Sequence, residues 1–211
     1  MRGSSFERVV GDLSEAEKER ILQEKADYFG GERFEVIVAE EREKTPTELR
    51  IISLANRFTN DLRRRYGLDD FDIPPGNIHI LKEDARAHFE GPAVYNPSLQ
   101  MVAVREDHSR LGFLHRMVHE LLHFKSYQAL QVTTGAAPEV AEYRAGLVAK
   151  SRDGTRTYFT GLNEAVTEEL TKQLVLDHAS DPLLANETEM TRVLARRHSQ
   201  QAKTDSGEPL F

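Results

Sequence analysis

The 211-residue chain has no cysteine. No disulfide framework can form, and a metal would have to be held by histidine and carboxylate rather than thiolate. No apolar run reaches the roughly 18 residues that a membrane-spanning helix needs. The opening stretch Met1-Arg-Gly-Ser-Ser-Phe-Glu-Arg lacks the apolar segment of a secretory signal. The expectation is a cytoplasmic chain with no membrane partner. An excess of positive charge is missing too: 28 Lys and Arg face 35 Asp and Glu, for a formal net charge of −7. That balance argues against nucleic acid as the main partner. The one basic cluster, Arg63, Arg64 and Arg65, is read as solvating a helix end that the macrodipole favours. The 39% of hydrophobic residues suffices for a core, and the length fits one domain with an elaborated end.

Along the chain, Ser14 to Phe29 reads as a polar helix opened by a capping box, with Glu17 three residues after Ser14. Glu35-Val-Ile-Val-Ala-Glu is a short strand candidate. Thr45-Pro46 opens a second helix running to Tyr66, with Leu49, Ile52, Ala55, Phe58 and Leu62 as its buried face. Pro74-Pro75-Gly76 is a stop. Ile78-His-Ile-Leu starts a strand, and Ala93-Val-Tyr and Met101-Val-Ala-Val flank the Asn96-Pro97-Ser98 turn as a hairpin. Residues 1–44 form an N-terminal segment of unassigned role, 45–180 the main domain, and 181–211 a polar tail. The pattern of helix, mixed sheet, then two helices is α+β.

The chemistry concentrates in His119-Glu120-Leu121-Leu122-His123. The surrounding run from Leu111 to Phe124 has no proline, and its one glycine lies near its start. Leu114, Met117, Val118, Leu121 and Leu122 make an apolar stripe at helical spacing, with Asp107 or Ser109 as cap. On a helix, side chains four apart share a face, so both imidazoles point the same way. Two neutral imidazoles so placed can hold Zn²⁺. Glu120 can sit beside the metal and take a proton from water there. His115, a further four residues back, rotates about 40° off that face and is read as flanking.

Catalytic zinc usually takes three protein ligands and keeps one open position. After His123 the chain reads Phe124-Lys-Ser-Tyr-Gln-Ala, with no glycine and no third histidine, which excludes the metzincin arrangement. Downstream lies Gly161-Leu-Asn-Glu-Ala-Val-Thr-Glu-Glu-Leu. Together the two stretches resemble the H-E-x-x-H and N-E-x-x-[ST]-[DE] elements of gluzincins, the thermolysin-like zinc peptidases. The likeness spans roughly Val102 to Leu176. It implies a zincin-like catalytic domain with Glu164 as third zinc ligand, Glu168 behind the ring of His119, and Asn163 beside the site. Independently, Glu164 and Glu168 are four apart and share a helix face, and metal-bound histidines usually donate their second ring N–H to an acceptor.

His123 and Glu164 stand 41 positions apart, farther than in thermolysin-like enzymes. Asp153-Gly154 between β-prone runs marks a hairpin in the insert. That resembles small bacterial gluzincins with reduced catalytic domains. The implied function is a zinc metallopeptidase acting on a peptide or protein, with Glu120 as general base. The alternative is a catalytically silent zincin module, against which an intact Glu120 argues. Met101 to Arg105 is read as the edge strand beside the cleft, with an interior strand as the alternative, and Tyr143, Tyr158 and His178 are the candidate oxyanion donors.

Overall fold

A computed structural model describes residues 5–27, 39–82, 85, 91–106, 109–134 and 139–184. The chain is α+β, and its described residues form four helices and two sheets. Its elements in order are β1 (Phe6–Val10), α1 (Glu15–Ala26), α2 (Pro46–Arg65), a 3-10 turn at Pro75–Asn77, β2 (Ile78–Leu81), β3 (Ala93–Asn96), β4 (Met101–Arg105), α3 (Arg110–Lys125), β5 (Gln128–Val132), β6 (Val140–Ala145), β7 (Val148–Lys150), β8 (Thr157–Tyr158) and α4 (Thr160–Asp177). The expected strand at Glu35 and the polar tail beyond Leu184 lie outside the described residues, as does Asp107. No described helix is long and apolar enough to cross a membrane.

Helix starts follow from capping chemistry. Ser14 with Glu17, and Thr45 with Glu48, each form a reciprocal box that satisfies two otherwise unpaired backbone N–H groups. Ser109 caps α3 by accepting from the Gly112 N–H. α4 begins differently. Phe159 precedes it with φ +64 and no side-chain cap, a left-handed conformation that is costly for a non-glycine residue.

The main core lies between α2, α3, α4 and the small sheet. Leu114, Met117, Val118 and Leu121 of α3 are fully enclosed, with Phe58 of α2 and Leu174 of α4. At about 25 cal/mol per Å² of apolar surface, each such side chain contributes about 1.5–3 kcal/mol. On α2 the buried face includes Ile51 and Leu54 besides Ile52, Ala55 and Phe58, whereas Leu49 stands 41% exposed. Neighbours on two sides explain this: α2 packs against both α3 and α4, so its apolar stripe is wider than a single seam.

The small sheet has the order β2-β4-β3, with β2 parallel and β3 antiparallel to β4. The expectation of an edge strand at Met101–Arg105 is therefore corrected. β4 is the centre of the three, and Met101, Val102, Ala103 and Val104 are buried because strands cover both of its sides. The edge is β3. The larger sheet has the order β1-β5-β6-β7-β8. β5 to β8 form an antiparallel meander, and β1 adds in parallel to β5. The hairpin expected around Asp153-Gly154 is β7–β8, and the insert also contributes β6.

Candidate metal centre and cleft

α3 and α4 cross so that three side chains meet. His119 Nε2 lies 3.1 Å from His123 Nε2, and each lies 3.3 Å from Glu164 Oε2. Among the described residues, these three form the one group of histidine or acidic ligands able to hold a metal ion. Zinc held at about 2.0–2.1 Å spaces tetrahedral ligand atoms about 3.3–3.4 Å apart, so the triangle has the size that a tetrahedral ion requires. Burial lowers the pKa of His123, with Glu164 pulling the other way. The neutral imidazole is the form that binds metal.

The second ring nitrogens also have neighbours. Glu168 Oε2 lies 3.4 Å from His119 Nδ1, one helical turn after Glu164. Its other oxygen faces His115 Nε2 at 3.4 Å and Lys172 Nζ at 3.2 Å. Burial opposes ionisation of Glu168, but His115, Lys172 and His119 together hold its carboxyl below the ordinary value. His115 thus meets Glu168 and not the triangle. Asn163 is buried beside His123, its amide nitrogen 3.2 Å from Nδ1 and its oxygen accepting the Leu147 N–H at 3.0 Å. Gly146 makes this seat possible: its φ is +58, and a Cβ there would lie 2.7 Å from Asn163 Oδ1.

His119, Glu120, His123, Asn163 and Glu164 line one cleft of about 300 Å³. Its other walls are β3 with Pro97, and Ser126, Glu142, Ala145 and Val148. A roomier groove of about 770 Å³ lies between α2 and the segment Asp70–Pro75. It contains none of the three converging ligands, so the chemistry belongs to the smaller cleft. Glu120 is only 7% exposed. Burial, reinforced by the charge of Glu164, pushes its carboxyl up to about 7, although the nearby Tyr95 backbone pulls the other way. A carboxyl titrating near neutrality suits a general base.

The three candidate oxyanion donors are not brought to the cleft. His178 sits at the far end of α4, stacked on Phe58 with ring centroids 3.8 Å apart. Tyr143 lines a different depression with Arg8 and Arg152, and Tyr158 is exposed on β8. Which way Tyr143 and Tyr158 face depends on strand register, and where His178 lands depends on helix packing, neither of which is local information. Tyr95, Glu142 and Ser126 were missed for the same reason. Tyr95 and Glu142 lie on strands and Ser126 ends α3, and only tertiary packing turns them to the cleft.

Comparison of the chain with protein-family models, with curated proteins and with solved structures gave no match. The functional reading therefore rests on the residues and their geometry.

Proposed function

We propose that this chain is a zinc metallopeptidase of the gluzincin type, with a zincin-like catalytic domain, acting on peptide or protein substrates. The observation that carries the reading is the convergence of His119 Nε2, His123 Nε2 and Glu164 Oε2 in the cleft that also holds the buried carboxyl of Glu120. The donor set, two imidazoles and a carboxylate without thiolate, is one that zinc hydrolases use. A bound zinc supplies Lewis acidity, lowering the pKa of water and polarising a carbonyl oxygen.

The rest falls to the protein. Glu168 orients the imidazole of His119 through Nδ1, and Asn163 stands beside Nδ1 of His123. Glu120 accepts the proton of the attacking water and returns it to the departing amine. β3, at the edge of its sheet, offers main-chain groups to an extended peptide, and β-strand addition would lay the peptide across Glu120.

One observation favours a second reading, a metal-binding module without turnover: Tyr143, Tyr158 and His178 all lie outside the cleft, so no side chain expected as an oxyanion donor is in place. A diverse peptide pool separates the two. Wild type should cleave peptides in a chelator-sensitive manner. Glu120→Gln should retain one zinc per chain but lose turnover by about 10²–10⁴-fold. Equal cleavage by both proteins, or none by zinc-loaded wild type, would leave only the metal module.

A further inference from the structure

One end of the cleft is bridged. Beyond Asn96, the last residue of β3, the chain turns, and Ser98 Oγ donates to Glu142 Oε1 at 3.0 Å. That contact ties the β3–β4 turn to β6. Lys150 Nζ donates to the other oxygen of Glu142 at 3.3 Å. A peptide lying along β3 therefore has a wall in front of it.

The wall carries a carboxylate. Glu142 and Ala145 both line the cleft, although residues three apart on a regular strand face opposite ways. A bulge explains it: Ala129 pairs with Arg144 but Leu130 pairs with Glu142, leaving Tyr143 as the extra residue. The bulge re-aims Glu142 toward the cleft and sends Tyr143 to the other face. Lys150 is not among the cleft-lining residues, so the charge that faces the cleft is negative. Each carboxylate oxygen has more than one acceptor position, so Glu142 can take a further donor while keeping Ser98 and Lys150.

Chain direction agrees with charge. β3 runs from Ala93 toward Asn96. A peptide added antiparallel, the commoner pairing, runs the opposite way and puts its amino end at the wall. We infer that Glu142 anchors the free α-amino group of the peptide, so that the enzyme removes residues from the amino terminus. This rests on the metallopeptidase reading for the cleavage step, but the anchor itself is a binding site and can be tested without turnover.

Three hexapeptides serve as probes: one with a free amino end, its N-acetyl form, and an N-acetyl form with lysine at the first position. Their affinities for zinc-loaded Glu120→Gln protein are measured by calorimetry. The free-amino peptide should bind at least about tenfold tighter than the acetylated one, equivalent to about 1.4 kcal/mol. Glu142→Gln in that background keeps an acceptor for Ser98 and should erase the preference. Lys150→Gln leaves the carboxylate and should preserve or increase it, which loss of a merely structural bridge would not do. With wild type, mass spectrometry should find products shortened from the amino end. Equal binding of free and acetylated peptides, or equal internal cleavage of the acetylated one, overturns the anchor. Acetylated lysine peptide binding as well as the free-amino peptide assigns Glu142 to a side-chain ammonium and overturns the α-amino assignment. A binding preference without any cleavage upholds the anchor and overturns the peptidase reading.

Discussion

The two ends of α4 both carry histidine–carboxylate contacts, and they are built on opposite principles. At its carboxyl end, the Nδ1–H of His178 donates to the Leu174 carbonyl at 2.8 Å, Nε2 faces Asp61 Oδ2 at 3.1 Å, and the ring stacks on Phe58. His79 follows the same plan, buried in β2 with Nδ1 2.8 Å from Glu41. Each nitrogen in contact has its own partner, which is how buried polar groups usually avoid a desolvation penalty. At the amino end, two Nε2 atoms and one carboxylate oxygen point at a common centre instead. Three lone-pair donors about 3 Å apart satisfy one another poorly and satisfy a cation well. The difference separates histidines that hold a fold from histidines arranged as a metal site would need them.

The sharpest way to break the comparison is to remove the rings. A His119→Ala, His123→Ala double variant should lose stoichiometric zinc altogether after dialysis, while His178→Ala should keep one zinc per chain. Full zinc retention in the double variant, or zinc loss from folded His178→Ala, would collapse the distinction. Metal analysis on both proteins decides it.

Glu120 gives the next largest effect, and it concerns stability. Its carboxyl titrates at about 7 in the fold against an ordinary 4.5, because burial and Glu164 disfavour its charge. Below pH 4.5 it is protonated in both states and costs nothing. Above pH 7 the folded protein carries an ionised, desolvated group that the unfolded chain hydrates freely. The gap is worth about 3 kcal/mol, at 1.36 kcal/mol per tenfold. Metal-free Glu120→Gln should therefore be more stable than metal-free wild type by up to about 3 kcal/mol at pH 8, and the difference should vanish as pH falls to 4. Urea unfolding across that range measures it. A difference that is constant with pH would mean that Glu120 is not held in this environment.

The helix bearing this cost was legible beforehand, and its surroundings were not. Periodicity in Leu114, Met117, Val118 and Leu121 fixed α3, because a 3.6-residue repeat is local information. The histidine spacing and the Asn163-Glu164 element were legible for the same reason. Strand order is non-local. Nothing in Met101–Arg105 says whether one or two strands flank it, so the edge was misplaced by one strand. β1 and β5 pair in parallel across more than a hundred residues, and neither had a signal of its own. The bulge that turns Glu142 inward depends on register with β5, which alternation alone does not give.

The nitrogens remote from the triangle sharpen the comparison at an intermediate scale. Glu168→Gln keeps an acceptor near His119 Nδ1 but removes the charge, and should weaken zinc binding about 10–100-fold. Asn163 divides one amide between two clients. For His123 to ligate through Nε2 its proton must sit on Nδ1 and needs an acceptor, yet the Asn163 oxygen already serves Leu147. Asn163→Asp offers two acceptor oxygens, one for each donor. Zinc affinity should hold or rise in Asn163→Asp and fall about 10–100-fold in Asn163→Ala. Competition titration against a chromogenic chelator reads all three variants. Weakening in Asn163→Asp equal to that in Asn163→Ala would show that the residue packs rather than orients.

The smallest effect is expected at the other end of the helix. His178→Phe keeps the ring against Phe58 and the occupied volume, but gives up the contacts to Leu174 and Asp61. Asp61 retains its ion pair with Arg64, and His178 is partly open to water, so no charge is stranded in the core. Net loss should be about 1 kcal/mol, the usual worth of a hydrogen bond exchanged with water. Zinc affinity should not change. Asn163 and His178 are fifteen residues apart on α4, about 22 Å along the axis, and Thr171, Leu174 and Val175 pack between them. Thermal unfolding and zinc titration are run on the same protein. A drop in zinc affinity of more than tenfold with so small a loss of stability would mean that the stack at His178 sets the height of α4 against α3, and that the two ends act as one device.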